Sequence, residues 1–346
     1  MAVKMKLRLP IVVLAVVFNI TGFAQQRPHY TQYVINNYII NPAVAGIENY
    51  TDVKISHRHQ WVGLQDAPVT TYVTIHAPLR KSDYTRETAT GFAPSGDNPR
   101  GKSYWQDYTS APPHHGIGFT MINDKAGPLN RFAAYGTYAY HRGISGRTSI
   151  AGGISAGLQN MTLNAGKLDF GTQYPVDPAV AGSGHLNRLT PDINAGVWLY
   201  SSDYFAGLSA QQIIPSKLKF SEDTVRLSGG RLIPHLFLTA GYRFFVSDDI
   251  SFLPSTLIKY VSPLPVGFDI NAKFQYRDLL WAGGSYRHND GFAAMFGLNM
   301  SNAFNIGYSY DITTSRLNTV SKGTHEIVVG FLLGNRYGDW CPRNLW

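Results

Sequence analysis

The chain of 346 residues has a formal charge of +8 but only 15% charged residues, well under the usual ~25%, together with 34 glycines, 21 tyrosines and 18 phenylalanines. So small a basic excess, without a run of five or six like charges, gives no footing for nucleic-acid binding. The single cysteine, Cys341, excludes an intramolecular disulfide, so stability has to come from packing and hydrogen bonding.

The N-terminus carries Lys4, Lys6 and Arg8, an apolar run over residues 11–18, and small residues at Gly22 and Ala24. This is the pattern of a secretory signal over residues 1–24, cleaved after Ala24. The run is too short to cross a bilayer as a helix, which takes about 20 residues. No cysteine follows it closely, which argues against a lipoprotein. Removing the three basic residues of the leader from +8 leaves +5, and export removes the chain from nucleic acid. Residues 25–49 hold Pro28, Pro42 and several asparagines and read as a plug for a lumen or a periplasmic segment.

From residue 50 the hydropathy pattern has period two. Segment after segment alternates apolar with polar or small residues over the length of a tilted transmembrane strand, about 9–11 residues. Between Val266 and Arg277, for instance, Val266, Phe268, Ile270, Ala272, Phe274 and Tyr276 share one face, while Asp269, Asn271, Lys273, Gln275 and Arg277 share the other. That contrast describes lipid outside and a wet lumen inside. Fourteen candidates follow: residues 50–58, 68–78, 115–123, 131–142, 147–158, 191–201, 203–212, 236–246, 250–260, 265–276, 278–287, 291–300, 303–312 and 323–333. The expected fold is all-β, an antiparallel transmembrane barrel over residues 50–333 with a tail over 334–346. An even strand number is what bacterial single-chain barrels show.

Connections after even-numbered segments are mostly tight, and the two longest regular gaps, 159–190 and 213–235, follow odd-numbered ones. With the chain starting in the periplasm, the odd-numbered connections face outward. Residues 79–114 break the pattern as a long insertion on the periplasmic side.

Enzyme motifs do not survive their context. Gly153, Ser155 and Gly157 spell the hydrolase elbow, but inside a strand pattern, whereas the elbow needs a sharp turn from strand into helix. His57 with His59, or His114 with His115, lack a third ligand at a recognisable spacing for a metal. The chain is read as a non-enzyme without cofactor or metal. The lumen-facing set is more informative: Asp52, Lys54, Arg58, Arg243, Lys259, Asp269, Lys273, Arg277, Arg287, Asp311 and Glu326. Mixed signs suit paired charges that brace a narrow interior, because unpaired buried charge is costly. A selectivity lining for a pore is the alternative.

Residues 35–46 (INNYIINPAVAG), with Asn41, Pro42, Ala43 and Gly46, are followed by Arg58-His59-Gln60-Trp61, Ala67-Pro68-Val69-Thr70 and residues 115–127 (HGIGFTMINDKAG). Then come residues 191–196, 204–211 (YFAGLSAQ), Gly241-Tyr242-Arg243, residues 308–311, His325-Glu326-Ile327 and Cys341-Pro342-Arg343. In this order, from residue 26 to the end, they resemble the PorP/SprF family of type IX secretion outer-membrane proteins. The 79–114 segment departs from the family pattern.

The resemblance implies a component that holds secreted clients, adhesins with a type B C-terminal domain, on the cell surface, in some members for gliding. It also implies contact with periplasmic parts of the secretion machinery; outer-membrane lipid is the third partner. Two outer connections are candidate docking elements, since binding residues concentrate on loops held by a rigid scaffold. One holds Tyr174, Pro175, Val176 and Pro178, stiffened by proline. The other holds Lys217, Lys219 and Arg226, a basic patch suited to an acidic client. A transport barrel or porin for small or hydrophobic solutes is the alternative reading.

Overall fold

Strands with one apolar face must close on themselves in a bilayer, because an open edge leaves backbone groups without partners in lipid. The computed structural model describes residues 29–79, 109–167, 185–215, 232–277, 279–300 and 303–335. Its strands are β1 (Thr51–His59), β2 (Val69–Leu79), β3 (His114–Ala126), β4 (Leu129–Gly143) and β5 (Thr148–Asn164). They continue with β6 (His185–Ser201), β7 (Tyr204–Gln211), and β8 in two pieces (His235–Tyr242 and Phe244–Phe245) interrupted at Arg243. The rest are β9 (Ile250–Tyr260), β10 (Gly267–Tyr276), β11 (Leu280–Arg287), β12 (Gly291–Asn299), β13 (Phe304–Thr313) and β14 (Thr324–Leu333). Each pairs antiparallel with its neighbours in chain order, and β14 pairs with β1 from Thr51↔Leu333 to His59↔His325, which closes a fourteen-stranded barrel.

The expected alternation holds. On β10, Ile270, Phe274 and Tyr276 are exposed to the outside while Asp269, Asn271 and Lys273 are buried. β13 and β14 behave alike, with Ile312, Ile327, Phe331 and Leu333 outward and Ser309, Asp311, Thr324 and Glu326 inward. Two strands exceed their expected length, β5 running to Asn164 and β6 starting at His185. There the outward rank of cross-strand neighbours is Lys125, Asn130, Thr162 and Asn187, polar on every strand. This part of the wall stands above the apolar belt, where alternation is no longer enforced.

The interior is not a wet lumen throughout. It is packed, and the packing comes from residues 29–50, whose side chains from Thr31 to Tyr50 are buried without exception. They form three short 3-10 turns, Gln32–Ile35, Asn37–Ile39 and Pro42–Val44. Apolar side chains reach inward from the wall to meet them: Tyr72, Ile122, Tyr135, Phe237, Leu257, Trp281 and Val328 enclose Tyr33, Val34, Ile35, Ile39 and Ile40. Trp198, Tyr200, Phe205 and Leu253 do the same around Tyr38, Val44 and Ile47. The inner face is thus half core and half polar rather than a wet lining.

Arg277 departs from expectation. It lies past the end of β10 in a turn at φ +51°, with its side chain exposed and paired to Asp249 at 3.0 Å. It is a rim residue, because the one-residue step into the turn ends the alternation that had placed it inside.

Candidate functional site

The plug is fastened by its own sequence. Asn41 accepts from the Ala43 N–H at 3.0 Å, which caps the Pro42–Val44 turn, and its amide donates to Val197 O at 3.1 Å and Leu208 O at 3.3 Å. Pro42 suits the first position of such a turn, where its missing N–H is not needed. Ala43 is fully buried against Gly153, where a Cβ would fall 2.5 Å from the Ala43 nitrogen. Gly46 takes φ +78° and lies against Gly116, where a Cβ would fall 1.8 Å from the Ala45 carbonyl oxygen. The Asn-Pro-Ala and Gly signals are therefore contacts between plug and wall. Gly153 serves that contact too, and Ser155 shares a hydrogen bond with Thr137 at 2.8 Å. The hydrolase spelling is a packing feature.

Side chains continue the attachment along the whole plug. Asn36 donates to Thr74 (3.0 Å), Tyr38 to Thr137 (2.7 Å), Asn271 to the Tyr33 hydroxyl (2.6 Å), and Ser209 to Ile40 O (2.6 Å). Where the plug turns into β1, the ring nitrogens of His114 and His141 lie 3.1 and 2.8 Å from Gly46 O and Ala45 O, and the Gly46 N–H donates to His76 at 3.3 Å. His115 faces the opposite side of β3, against the Tyr138 hydroxyl at 2.6 Å, so it cannot share a metal with His114. His57 is outward, beside Thr71. Among the described residues no cluster of three or more His, Cys, Asp or Glu has the arrangement of a metal site. Asn36, Tyr38, His141 and Gly116 were not singled out from sequence; residues 35–46, already notable as a motif, were the available signal.

The inward charges form a network near the mouth at the odd-numbered connections. Arg58 pairs with Asp311 at 2.7 Å and Glu326 at 2.9 Å. Thr31 joins them: its N–H donates to Glu326 at 2.7 Å and its hydroxyl to Asp311 at 2.6 Å. Arg287 pairs with Asp290 at 2.7 Å and lies 3.6 Å from Asp269, which Lys259 reaches at 2.9 Å. At the opposite end Lys54 pairs with Asp52, and Arg243 is buried with its N–H on Asp203 O at 2.6 Å. Lys273 sits 5.8 Å from the Trp281 ring, a cation–π contact. Apart from Arg277, the residues expected in the lumen lie inside, and Lys54, Arg58, Lys259 and Arg287 each meet a carboxylate there. Arg58→Met leaves Glu326 buried without its cation and Asp311 with only Arg287, at 3.7 Å. Such a change should cost about 3–5 kcal/mol, measured as a lowered denaturation midpoint of the refolded barrel.

Above the network lies a mouth cavity of about 540 Å³, lined by Tyr30, Tyr33, Trp61, Phe237, Lys259 and Arg287 among others. Trp61 sits just beyond β1 at φ +48°, its N–H donating to the Thr324 hydroxyl at 3.1 Å. Tyr33 and Ile40 of the plug are among the cavity's lining residues. Tyr174, Pro175, Val176, Pro178, Lys217, Lys219 and Arg226 lie outside the described residues, as do residues 1–28, 80–108 and 336–346.

Among solved structures, the chain is similar to a TodX deletion mutant described as a monoaromatic hydrocarbon channel (10% identity, TM-score 0.46, 88% of this chain and 94% of that one). It is similar to a Pseudomonas aeruginosa FadL homologue (11%, 0.45, 88% and 94%) and to Omp33 of Acinetobacter baumannii (6%, 0.43, 83% and 100%). At these identities the likeness concerns the fold alone. No curated protein sequence matches the chain. A family model described as type IX secretion system membrane protein PorP/SprF matches residues 22–331. A plugged fourteen-stranded barrel whose plug motif and mouth network fall within that match is thus an outer-membrane protein of the type IX secretion system, and the chain belongs to the PorP/SprF family.

Proposed function

We propose that this barrel is a dock: it retains secreted client proteins, adhesins with a type B C-terminal domain, at the cell surface and engages the secretion machinery from the periplasmic rim. The observation that supports this reading is the filled lumen. A plug buried from Thr31 to Tyr50 and bonded to the wall along its length occupies the space a solute would cross, while the mouth cavity above it offers a partly apolar recess of the kind that anchors a partner. We assign Tyr174 to Pro178 and the basic set Lys217, Lys219 and Arg226 to the same docking role from their place in the sequence, and the role in gliding follows from which adhesin is held.

Deleting the gene should move one or more surface proteins into the medium. Deleting residues 174–178 alone should do the same while the barrel keeps its heat-dependent gel shift. If the surface proteins of the deletion strain stay in place and the purified barrel instead shows a steady conductance, the protein is a transport barrel.

A further inference from the structure

The wall of the barrel is uneven, and one of its strands is left half paired. β6 runs for 17 residues and is matched by β5 along all of them, from Thr148↔Ser201 to Asn164↔His185. On its other side β7 matches it only from Ala195↔Ala210 to Tyr200↔Phe205. The cause is local. Gln212 adopts φ +57°, which turns the chain away; its N–H is held by the Asn194 side chain at 3.0 Å, and one last bond runs from Ile213 N–H to Ile193 O at 3.0 Å. Pro215, which has no N–H, follows. Beyond Ile193 the β7 side of β6 has no backbone partner among the described residues.

The polarity of that edge follows from Ile193. In an antiparallel ladder the N–H and C=O of one residue point the same way and successive residues alternate. Since the Ile193 carbonyl faces the β7 side, so do the backbone groups of Pro191, Leu189 and Asn187. A proline at 191 fits, because proline is tolerated where its missing N–H faces an edge. Leu189 and Asn187 then present N–H and C=O groups that no described residue pairs with, two residues apart, as a second strand requires. Asn187 stands level with the polar rank of Lys125, Asn130 and Thr162, and Leu189 one rank below it, beside Asn160 and Phe132, at the outer margin of the apolar belt, on the side of the mouth cavity that Gln211 lines. Leu189, 61% exposed, is more exposed than any other large apolar side chain on a described strand. Next to it, Arg188 is partly buried with no hydrogen-bond partner for its Nε, and no carboxylate among the described residues pairs with it.

We infer that the free edge of β6 at residues 187–191 is a strand-addition site, which takes an extended segment of the secreted client carrying an apolar residue to cover Leu189 and a carboxylate to meet Arg188. Main-chain bonds supply the attraction and the two side chains the selectivity. The inference rests on the docking role and specifies how the client is held. It also accounts for an exposed edge, which is otherwise a liability for pairing with the wrong chain.

Two measurements test it. In the purified barrel, hydrogen exchange at the Asn187 and Leu189 amides should be fast; slow exchange there means another part of this chain covers the edge, and the inference fails. In cells, the double variant Asn187→Pro, Leu189→Pro removes both edge donors while the β5 ladder, made by residues 186, 188 and 190, stays intact. It should raise client in the medium about tenfold or more, two strand bonds being lost at once, with the heat-dependent gel shift unchanged. Arg188→Glu should release client as well. If gene deletion releases client but the proline variant and Arg188→Glu do not, the edge is wrong and the dock stands; if gene deletion releases none, both fall.

Discussion

Gly116→Val should turn an electrically silent barrel into a conducting one. A Cβ on Gly116 would lie 1.8 Å from the Ala45 carbonyl oxygen and 2.6 Å from its carbon, and both are backbone atoms that no rotamer change can move aside. The opposing residue, Gly46, sits at φ +78° with its backbone directly against this wall, a Cβ position there falling 2.4 Å from the Gly116 Cα and 3.1 Å from the Ala77 carbonyl oxygen, so the two backbones leave no room between them. Gly153→Val meets the Ala43 nitrogen at 2.5 Å and should act the same way. Either substitution forces residues 42–46 out of their seat, and with them the hydrogen bonds to His114, His141 and His76. The wild type, reconstituted in planar bilayers, should show no steady current; the variants should. Gly152→Ala is the control, since nothing lies within 4 Å of its Cβ position. Silent variants with wild-type gel mobility would mean that the plug does not seal the lumen.

What the sequence made legible, and what it hid, divides along the membrane surface. Lipid rewards strict alternation, so β10 and β13 could be placed almost to the residue from Phe274 and Tyr308 opposite Lys273 and Ser309. Where lipid ends, that pressure ends: residues 159–164 and 185–190 mix polar and apolar side chains without a consistent outward apolar face and looked like loop, although they extend β5 and β6 by six residues each. The inward face was harder still. An empty lumen demands polar residues and a plugged one demands a mixture, and Tyr72, Trp198, Leu257 and Val328 point inward because residues 30–47 are there to receive them. Period two assigns a face but not what that face touches. Asn41, Pro42, Ala43 and Gly46 were visible as a motif, yet their partners Gly153, Gly116 and Leu208 lie 70 to 167 residues away in a register that only the closed barrel supplies. Arg277 was misplaced for the opposite reason, since a turn at positive φ breaks the alternation without any change in composition.

The plug also changes what a charge inside the barrel should do, and a pair of adjacent positions separates the two environments. Ile270 on β10 is half exposed to lipid, and Ile270→Lys should cost about 2–4 kcal/mol, the range for a cation on the lipid face near mid-membrane. For a wet lumen, Asn271→Lys would be tolerated. Asn271 is instead 1% exposed and donates to the Tyr33 hydroxyl of the plug at 2.6 Å and to Ser255 at 3.3 Å. A lysine there loses the first bond, adds an unpaired charge beside plug residues and shares its face with buried Lys273, so it should be at least as costly as the outward change. Origin distinguishes the two penalties. Deleting residues 29–49 admits water to the inner face and removes the partner of Asn271, but leaves the lipid contact of Ile270 untouched. In a double-mutant cycle read by denaturation from vesicles, the plug deletion should therefore cancel most of the Asn271→Lys cost and none of the Ile270→Lys cost. Equal coupling at both positions would show that β10 does not divide lipid from plug along its two faces.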